Sequence, residues 1–277
     1  VASRGLGDVY KRQYFMNDNL IRLSKSCIGD AEKRAVMGVL DREYLGMGSE
    51  VQQFEDVLSE FFGRPTVCVI NGTAALHLSL QACGIGIGDE VLVPSLTYVA
   101  SFQAISATGA KPVACDINEI YLIDCDDAEK RITKNTKAIM PVHLTGRISE
   151  MSEIMKIANE NNIPVIEDAC QSILGAIDQK NAGTWGLAGA FSLHPLKNIN
   201  VWSDGGVIVT NDTGLYEQLI LLRNHGFKDR DTVVTMGYNS RLDTIQAVVG
   251  NWILPKAKAI SDQRIAMQTT SIRDLKI

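Results

Sequence analysis

Apolar positions along the chain follow two rhythms. Between residues 50 and 62, Val51, Phe54, Val57, Leu58 and Phe61 recur at helical spacing, and Gly63 stops the run. Upstream, Ala31, Ala35, Val36, Val39 and Leu40 give a helical stripe over 30–44, broken by the loop 45–49. Short continuous apolar runs bounded by turn residues alternate with these helices and predict buried strands at 67–70, 90–93, 112–115, 137–142, 163–168, 190–194 and 207–210. The intervening stretches predict helices at 73–83, 98–108, 149–161, 215–224 and 244–256. In the last of these, Ile245, Val248, Val249 and Trp252 are expected to form an exposed apolar face.

Strands alternating with helices imply an α/β fold with a mostly parallel sheet covered on both sides. Loops that do chemistry then gather at the carboxyl ends of the strands. Asn71-Gly72-Thr73, Pro94 to Tyr98, Glu167 to Gln171 and His194 to Lys197 all fall there.

Composition narrows the field without naming a reaction. The 277 residues are 45% hydrophobic and 21% charged, enough for one large domain with a real core, and the net charge of −5 gives no reason to expect nucleic acid or an anionic membrane as a partner. Six cysteines form no CxxC pair and sit mostly in apolar runs, which reads as reduced core residues of a cytoplasmic protein. No His/Cys cluster has metal-ligand spacing, no apolar run approaches membrane-helix length, and no signal peptide is visible. Residues 1–13, with DVYKRQ at 8–13, read as a cloning or sequencing scar, and Met16 as a plausible start.

Two residues carry the candidate chemistry. Lys197 follows the buried run 190–194 and Pro195, and a glycine pair, Gly205-Gly206, lies beyond it. It is either a surface lysine or an amine placed to react with an aldehyde. Asp168 ends another buried run beside Glu167, and strand alternation sends those two side chains opposite ways. An aspartate and a lysine at one rim of a sheet suit pyridoxal 5'-phosphate: the lysine holds the aldehyde and the aspartate keeps the pyridine nitrogen protonated. The segment Asn71-Gly72-Thr73-Ala74-Ala75 joins a strand to a helix, whose first N–H groups make an anion site for a phosphate.

Seven segments in order, NGTAAL, PSLTYVAS, PVHLTG, VIEDACQS, FSLHPLKN, DGGVIVT and GYNSRLD, resemble the sugar aminotransferases of the DegT/DnrJ/EryC1/StrS family, from about Ile28 to the C-terminus. The resemblance implies an aspartate-aminotransferase-like fold (fold type I) whose large domain is expected over 14–243. Residues 244–277 are expected to start a small C-terminal domain that is largely missing. By the same resemblance Lys197 is the cofactor-linking lysine and Asp168 the partner of the ring nitrogen. Gln171 bonds the ring phenolate oxygen, Tyr98 stacks on the ring, and Gly72, Thr73, Ala74 and Ser192 form the phosphate cup. Asn239 reaches the phosphate of the partner subunit, implying a homodimer with a shared site. Arg241 makes at most a structural ion pair, and His77, His143, His194 and His225 are structural. The activity implied is transfer of an amino group, with glutamate as donor, to a nucleotide-linked keto-sugar. Some relatives carry histidine at the lysine position and dehydrate the sugar instead. Retention of Lys197 favours transamination over that reading, and the intact set of Lys197, Asp168 and Thr73 argues against a non-catalytic regulatory one.

Overall fold

The computed structural model describes residues 26–274, so the reading of 1–13 and of Met16 falls outside the described residues. Helix α1 (Asp30–Asp41) and helix α2 (Ser49–Phe62) precede strand β1 (Thr66–Val69). Then come α3 (Gly72–Ala82), β2 (Glu90–Pro94), α4 (Val99–Ala107), β3 (Lys111–Cys115), α5 (Cys125–Lys130), β4 (Thr136–Ile139), α6 (Met151–Glu160) and β5 (Ile166–Asp168). The remainder is β6 (Ala188–Ser192), β7 (Gly206–Thr210), α7 (Thr213–Arg223), α8 (Thr244–Ile253) and α9 (Ala257–Asp274).

The strands lie in the order β3-β2-β4-β5-β6-β7-β1. Ladders join β3, β2 and β4 in parallel, and β5 and β6 in parallel. Parallel bridges at Ile139–Val165 and Val142–Asp168 close the seam between β4 and β5, where Asp168 N donates to the Pro141 carbonyl at 2.9 Å. Only β7 runs against its neighbours, β6 and β1. The connection 193–205 holds no helix, and without a crossover the next strand returns antiparallel. That connection carries Lys197.

Side-chain alternation splits the core into two layers. Val67, Val69, Val91, Val93, Ile166, Ala190 and Ile208 point to the face covered by α3, α4 and α7. Cys68, Leu92, Phe191, Val207 and Val209 point to the face covered by α2, α6 and α8. Helix α2 enters the second layer through Val51, Phe54 and Leu58 of the predicted stripe, almost fully buried and each worth about 2–3 kcal/mol relative to exposure, whereas Val57 of that stripe is exposed, Phe61 is half-buried and Phe62 is buried in its place.

Helix α8 departs from expectation. Val249 is fully buried, Ile245 and Val248 are half-buried, and of the four residues expected outside only Trp252 is exposed. The reason is Gly250: a Cβ there would stand 2.4 Å from the Phe54 ring, so glycine lets α8 lie directly on α2. The predicted helix ends in a 3₁₀ turn at Leu254–Lys256, and the chain then continues as α9. Helix α5 and the hairpins Ala176–Ile177/Lys180–Asn181 and Phe227–Asp229/Thr232–Val233 were not expected from the sequence.

Candidate active site

The carboxyl rim of the sheet assembles the site from five connections. Asn71 caps α3 and accepts the Ala74 N–H on Oδ1 at 2.8 Å. Ala74 is therefore not an open donor. The Gly72 and Thr73 N–H groups, with the exposed Thr73 hydroxyl, are the open ones at this helix start. Gly72 is what brings them inward. A Cβ at Gly72 would lie 2.8 Å from the Ser192 Cβ and 3.0 Å from the Cys170 Sγ, so the bare backbone lets α3 abut the ends of β5 and β6.

Ser192, Lys197 and Gln171 line one cavity of about 270 Å3, together with Thr145, Cys170 and Asn198. Lys197 is half-buried, and its N–H closes a turn onto the His194 carbonyl at 2.8 Å. Gln171 Oε1 accepts the Thr145 N–H at 2.7 Å, which turns the Gln171 amide nitrogen, a donor, to the other side. Thr145 sits at φ 57°, a strained conformation for a β-branched residue that Gln171 helps to hold. A second cavity of about 580 Å3, lined by Leu96, Ile120, Tyr121, Leu144, Thr145 and Arg147, adjoins the first through Thr145.

Asp168 is 5% exposed. Its Oδ2 accepts the Ser101 hydroxyl at 2.7 Å and its Oδ1 the Cys170 N–H at 3.2 Å. Burial, and then the Asp168 charge, push the Cys170 thiol well above its ordinary range, opposed by Lys197. Cys170 is thus a neutral wall of the cavity rather than a nucleophile. Glu167, as strand alternation predicts, faces away. It is fully buried and bonds His143, which is structural as expected.

Tyr98 occupies the N-cap position of α4, one turn from Ser101, and is 69% exposed. Asn239 is exposed and does not line the Lys197 cavity of its own chain; its segment pairs beside β1, with Ile70 N donating to the Ser240 carbonyl at 3.1 Å. Arg241 donates to Asn224 Oδ1 at 2.9 Å instead of forming the expected ion pair. Sequence reasoning missed Asn71, Ser101 and Asn198. For Asn71 the signal was present, since asparagine ahead of an apolar helical run is a common cap. Ser101 had none, because its bond to Asp168 is a tertiary contact.

The residues fit pyridoxal phosphate: an anion-ready helix start, a half-buried lysine and a buried carboxylate with acceptor capacity left, held together by a glycine whose Cβ would fill the cradle. The sheet order and the lysine loop before an antiparallel strand are those of an aspartate-aminotransferase-like, fold type I large domain.

The model of the DegT/DnrJ/EryC1/StrS aminotransferase family matches residues 26–276, and the chain belongs to that family. It is 44% identical over 220 residues to the dTDP-3-amino-3,6-dideoxy-alpha-D-galactopyranose transaminase of Aneurinibacillus thermoaerophilus, covering 78% of this chain and 60% of that protein. It is 37% identical over 238 residues to a pleiotropic regulatory protein of Geobacillus stearothermophilus, covering 84% and 64%. The chain thus spans less than two thirds of these relatives' length. Among solved structures it is similar to DesV of S. venezuelae in complex with ketimine intermediate, with a TM-score of 0.84, 37% identity, and coverage of 88% of this chain and 67% of that one.

Proposed function

We propose that this chain is the large domain of a pyridoxal-phosphate-dependent aminotransferase that moves an amino group from glutamate to a nucleotide-linked keto-sugar. The observation that carries the reading is the shared cavity in which Lys197, Gln171 and Ser192 meet, against the open end of α3 at Gly72. The substrate class rests on the relatives, one of which is a dTDP-sugar transaminase.

When bound, the cofactor supplies an aldehyde for the lysine and a ring that withdraws electrons from the bond broken at the substrate carbon. The chain's own groups do the rest. Gly72 and Thr73 N–H groups and the Thr73 and Ser192 hydroxyls hold the phosphate. Asp168 holds a proton at the ring nitrogen, and the Gln171 amide donates to the ring oxygen. Tyr98 covers the ring face and keeps water away. Lys197 is both the tether and the base that carries a proton to and from the substrate carbon.

The reading includes a homodimer in which Asn239 reaches the partner's phosphate. Exposed apolar side chains gather on the segments that carry the site: Leu96, Tyr98 and Val99 at the start of α4, Leu196 beside Lys197, and Met236 and Tyr238 beside Asn239. Such a surface suits a second copy. A cytoplasmic location also belongs to the reading, supported by six free cysteines. Among the described residues no helix is long and apolar enough to cross a membrane.

The test is the visible absorbance of the purified protein with pyridoxal phosphate. A band that shifts on adding glutamate, together with amination of a nucleotide-linked keto-sugar, supports the reading. A second, non-catalytic reading is favoured by the regulatory relative. It predicts no such shift, and that outcome would replace the first.

A further inference from the structure

Helix α4 carries two serines, and the first, Ser101, spends its hydroxyl outside the helix. A serine inside a helix commonly returns its hydroxyl to the carbonyl four residues back, and Ser79 of α3 does so, donating to the Ala75 carbonyl at 2.8 Å. Ser101 is fully buried, yet it reaches out of its helix to Asp168 Oδ2 at 2.7 Å. Behind it, Thr97 Oγ1 lies 2.8 Å from the Ser101 Oγ. A hydroxyl has one proton to give. With the Ser101 proton committed to the Asp168 carboxylate, the Thr97 hydroxyl must be the donor to Ser101. The chain therefore has one direction, Thr97 to Ser101 to Asp168, and each link polarises the next.

The acceptor side is equally constrained. An ionised carboxylate offers about four lone-pair sites. Ser101 and the Cys170 N–H fill two of them, one on each oxygen. A donated hydrogen bond fixes the plane of the carboxylate that accepts it. The same turn of α4 begins at Tyr98, whose carbonyl accepts the Ser101 N–H at 3.1 Å. One short segment thus holds both the aromatic and the hydroxyl that grips Asp168.

We propose that Ser101, backed by Thr97, is a positioning residue for the cofactor's ring nitrogen. It orients the Asp168 carboxylate so that acceptor capacity remains for the ring N–H, and it ties that carboxylate to the segment bearing Tyr98. The proposal rests on the reading that Asp168 faces the ring nitrogen. Without the Ser101 donor the Asp168 carboxylate loses the contact that fixes its plane, and the proton it would hold at the ring nitrogen is less well placed. A bound cofactor's ring would then draw fewer electrons from its linkage to Lys197, and the pH midpoint of the loaded protein's visible band would move upward.

The experiment compares wild type, Ser101→Ala, Ser101→Cys, Asp168→Asn and the Ser101→Ala/Asp168→Asn double variant. The two readouts are the Kd for pyridoxal 5'-phosphate, by tryptophan fluorescence, and the pH midpoint of the loaded protein's visible band. Ser101→Ala is expected to raise Kd about tenfold, the scale of one charge-assisted hydrogen bond. It should also move the midpoint upward. Ser101→Cys keeps the size but donates weakly, so it should fall between the two. The double variant should be no worse than Asp168→Asn alone, since a residue acting through Asp168 has nothing to lose once the carboxylate is gone. A wild-type Kd and midpoint in Ser101→Ala, or additive losses in the double variant, would overturn the proposal and leave Asp168 in its role. A wild-type Kd and midpoint in Asp168→Asn would overturn the role of Asp168, and this proposal with it. If Ser101→Ala does not fold, Thr97→Val reads the same chain one link out. It should raise Kd about twofold by weakening that polarisation, and an unchanged Kd and midpoint there count equally against it.

Discussion

Glu167 and Asp168 are neighbours on one strand, both buried, and they face opposite layers of the sheet. Glu167 is saturated. Its Oε1 accepts the Trp185 and Gly186 N–H groups at 2.6 and 2.7 Å, and its Oε2 accepts the Gly183 N–H at 2.8 Å and His143 Nε2 at 2.9 Å. His143 Nδ1 in turn accepts the Ser149 N–H at 3.3 Å, so Nε2 carries the ring proton. Asp168 has two donors, Ser101 and the Cys170 N–H, and capacity to spare. A buried carboxylate whose acceptor sites are all filled by fixed protein donors is a fastener. One left half-filled beside a cavity is an instrument waiting for a further donor.

The largest effect expected lies on the cavity side of this pair. Lys197→Ala should abolish turnover and remove the borohydride-reducible link to the cofactor, because the cavity holds no other amine. Peptide mapping of reduced protein checks it; cofactor attached to a different lysine would take the role away from Lys197.

Next comes Asp168→Asn, with turnover falling by about 10²–10³ through loss of the charge that holds the ring proton. Folding should survive, for a reason visible in the donors. The Ser101 hydroxyl can rotate and accept from the new amide, and Thr97 behind it is likewise a hydroxyl. Thermal melts and steady-state rates on one preparation check both halves. Near-normal turnover would erase the distinction drawn between the two carboxylates.

Glu167→Gln should do the reverse. Three of its donors are backbone N–H groups, which cannot turn round, and His143 is locked by Ser149. Whichever way the amide is placed, its NH₂ meets two donors. We expect about 2–4 kcal/mol of lost stability, a drop in Tm of about 5–10 °C for a chain of this size. An unchanged melting curve would show that saturation by donors does not mark a structural carboxylate here.

How much of this was legible in the sequence follows from which interactions are local. Most of the α2 stripe and the central strands were, because period and burial are written residue by residue: Val51, Phe54 and Leu58 fall where the helical repeat puts them, although Val57 is exposed and the edge strand β3, expected to be buried, buries only Cys115. Strand alternation separated Glu167 from Asp168. What stayed hidden depended on distant partners. The burial of Val249 needs Phe54 to meet Gly250, and the role of Ser101 needs a strand 67 positions away. Helix α5 and the two hairpins are too short to show a period, although Asp124, which caps α5 by accepting the Asp127 N–H, was a signal within reach.

The smallest expected effect concerns a third kind of buried polar atom, one with neither a filled set nor a waiting ligand. His77 Nε2, on α3 behind the phosphate loop, has no hydrogen-bond partner among the described residues, and the ring packs edge-on against Tyr238 with centroids 5.1 Å apart. Burial lowers its pKa from the ordinary 6.5. Well above pH 6.5 the ring is neutral whether the chain is folded or not, and its titration leaves stability unchanged. As the pH falls through 6.5 the unfolded chain takes up a proton that the folded chain still refuses, so stability declines until the folded value is reached. His77→Phe keeps the edge contact and removes the titration. Its Tm should therefore fall less than wild type between pH 7 and pH 5, by a small margin, with the two curves parallel above pH 7. If the curves stay parallel throughout, protonating His77 carries no folding penalty, and the rule that partners decide a buried group's charge fails at its simplest case.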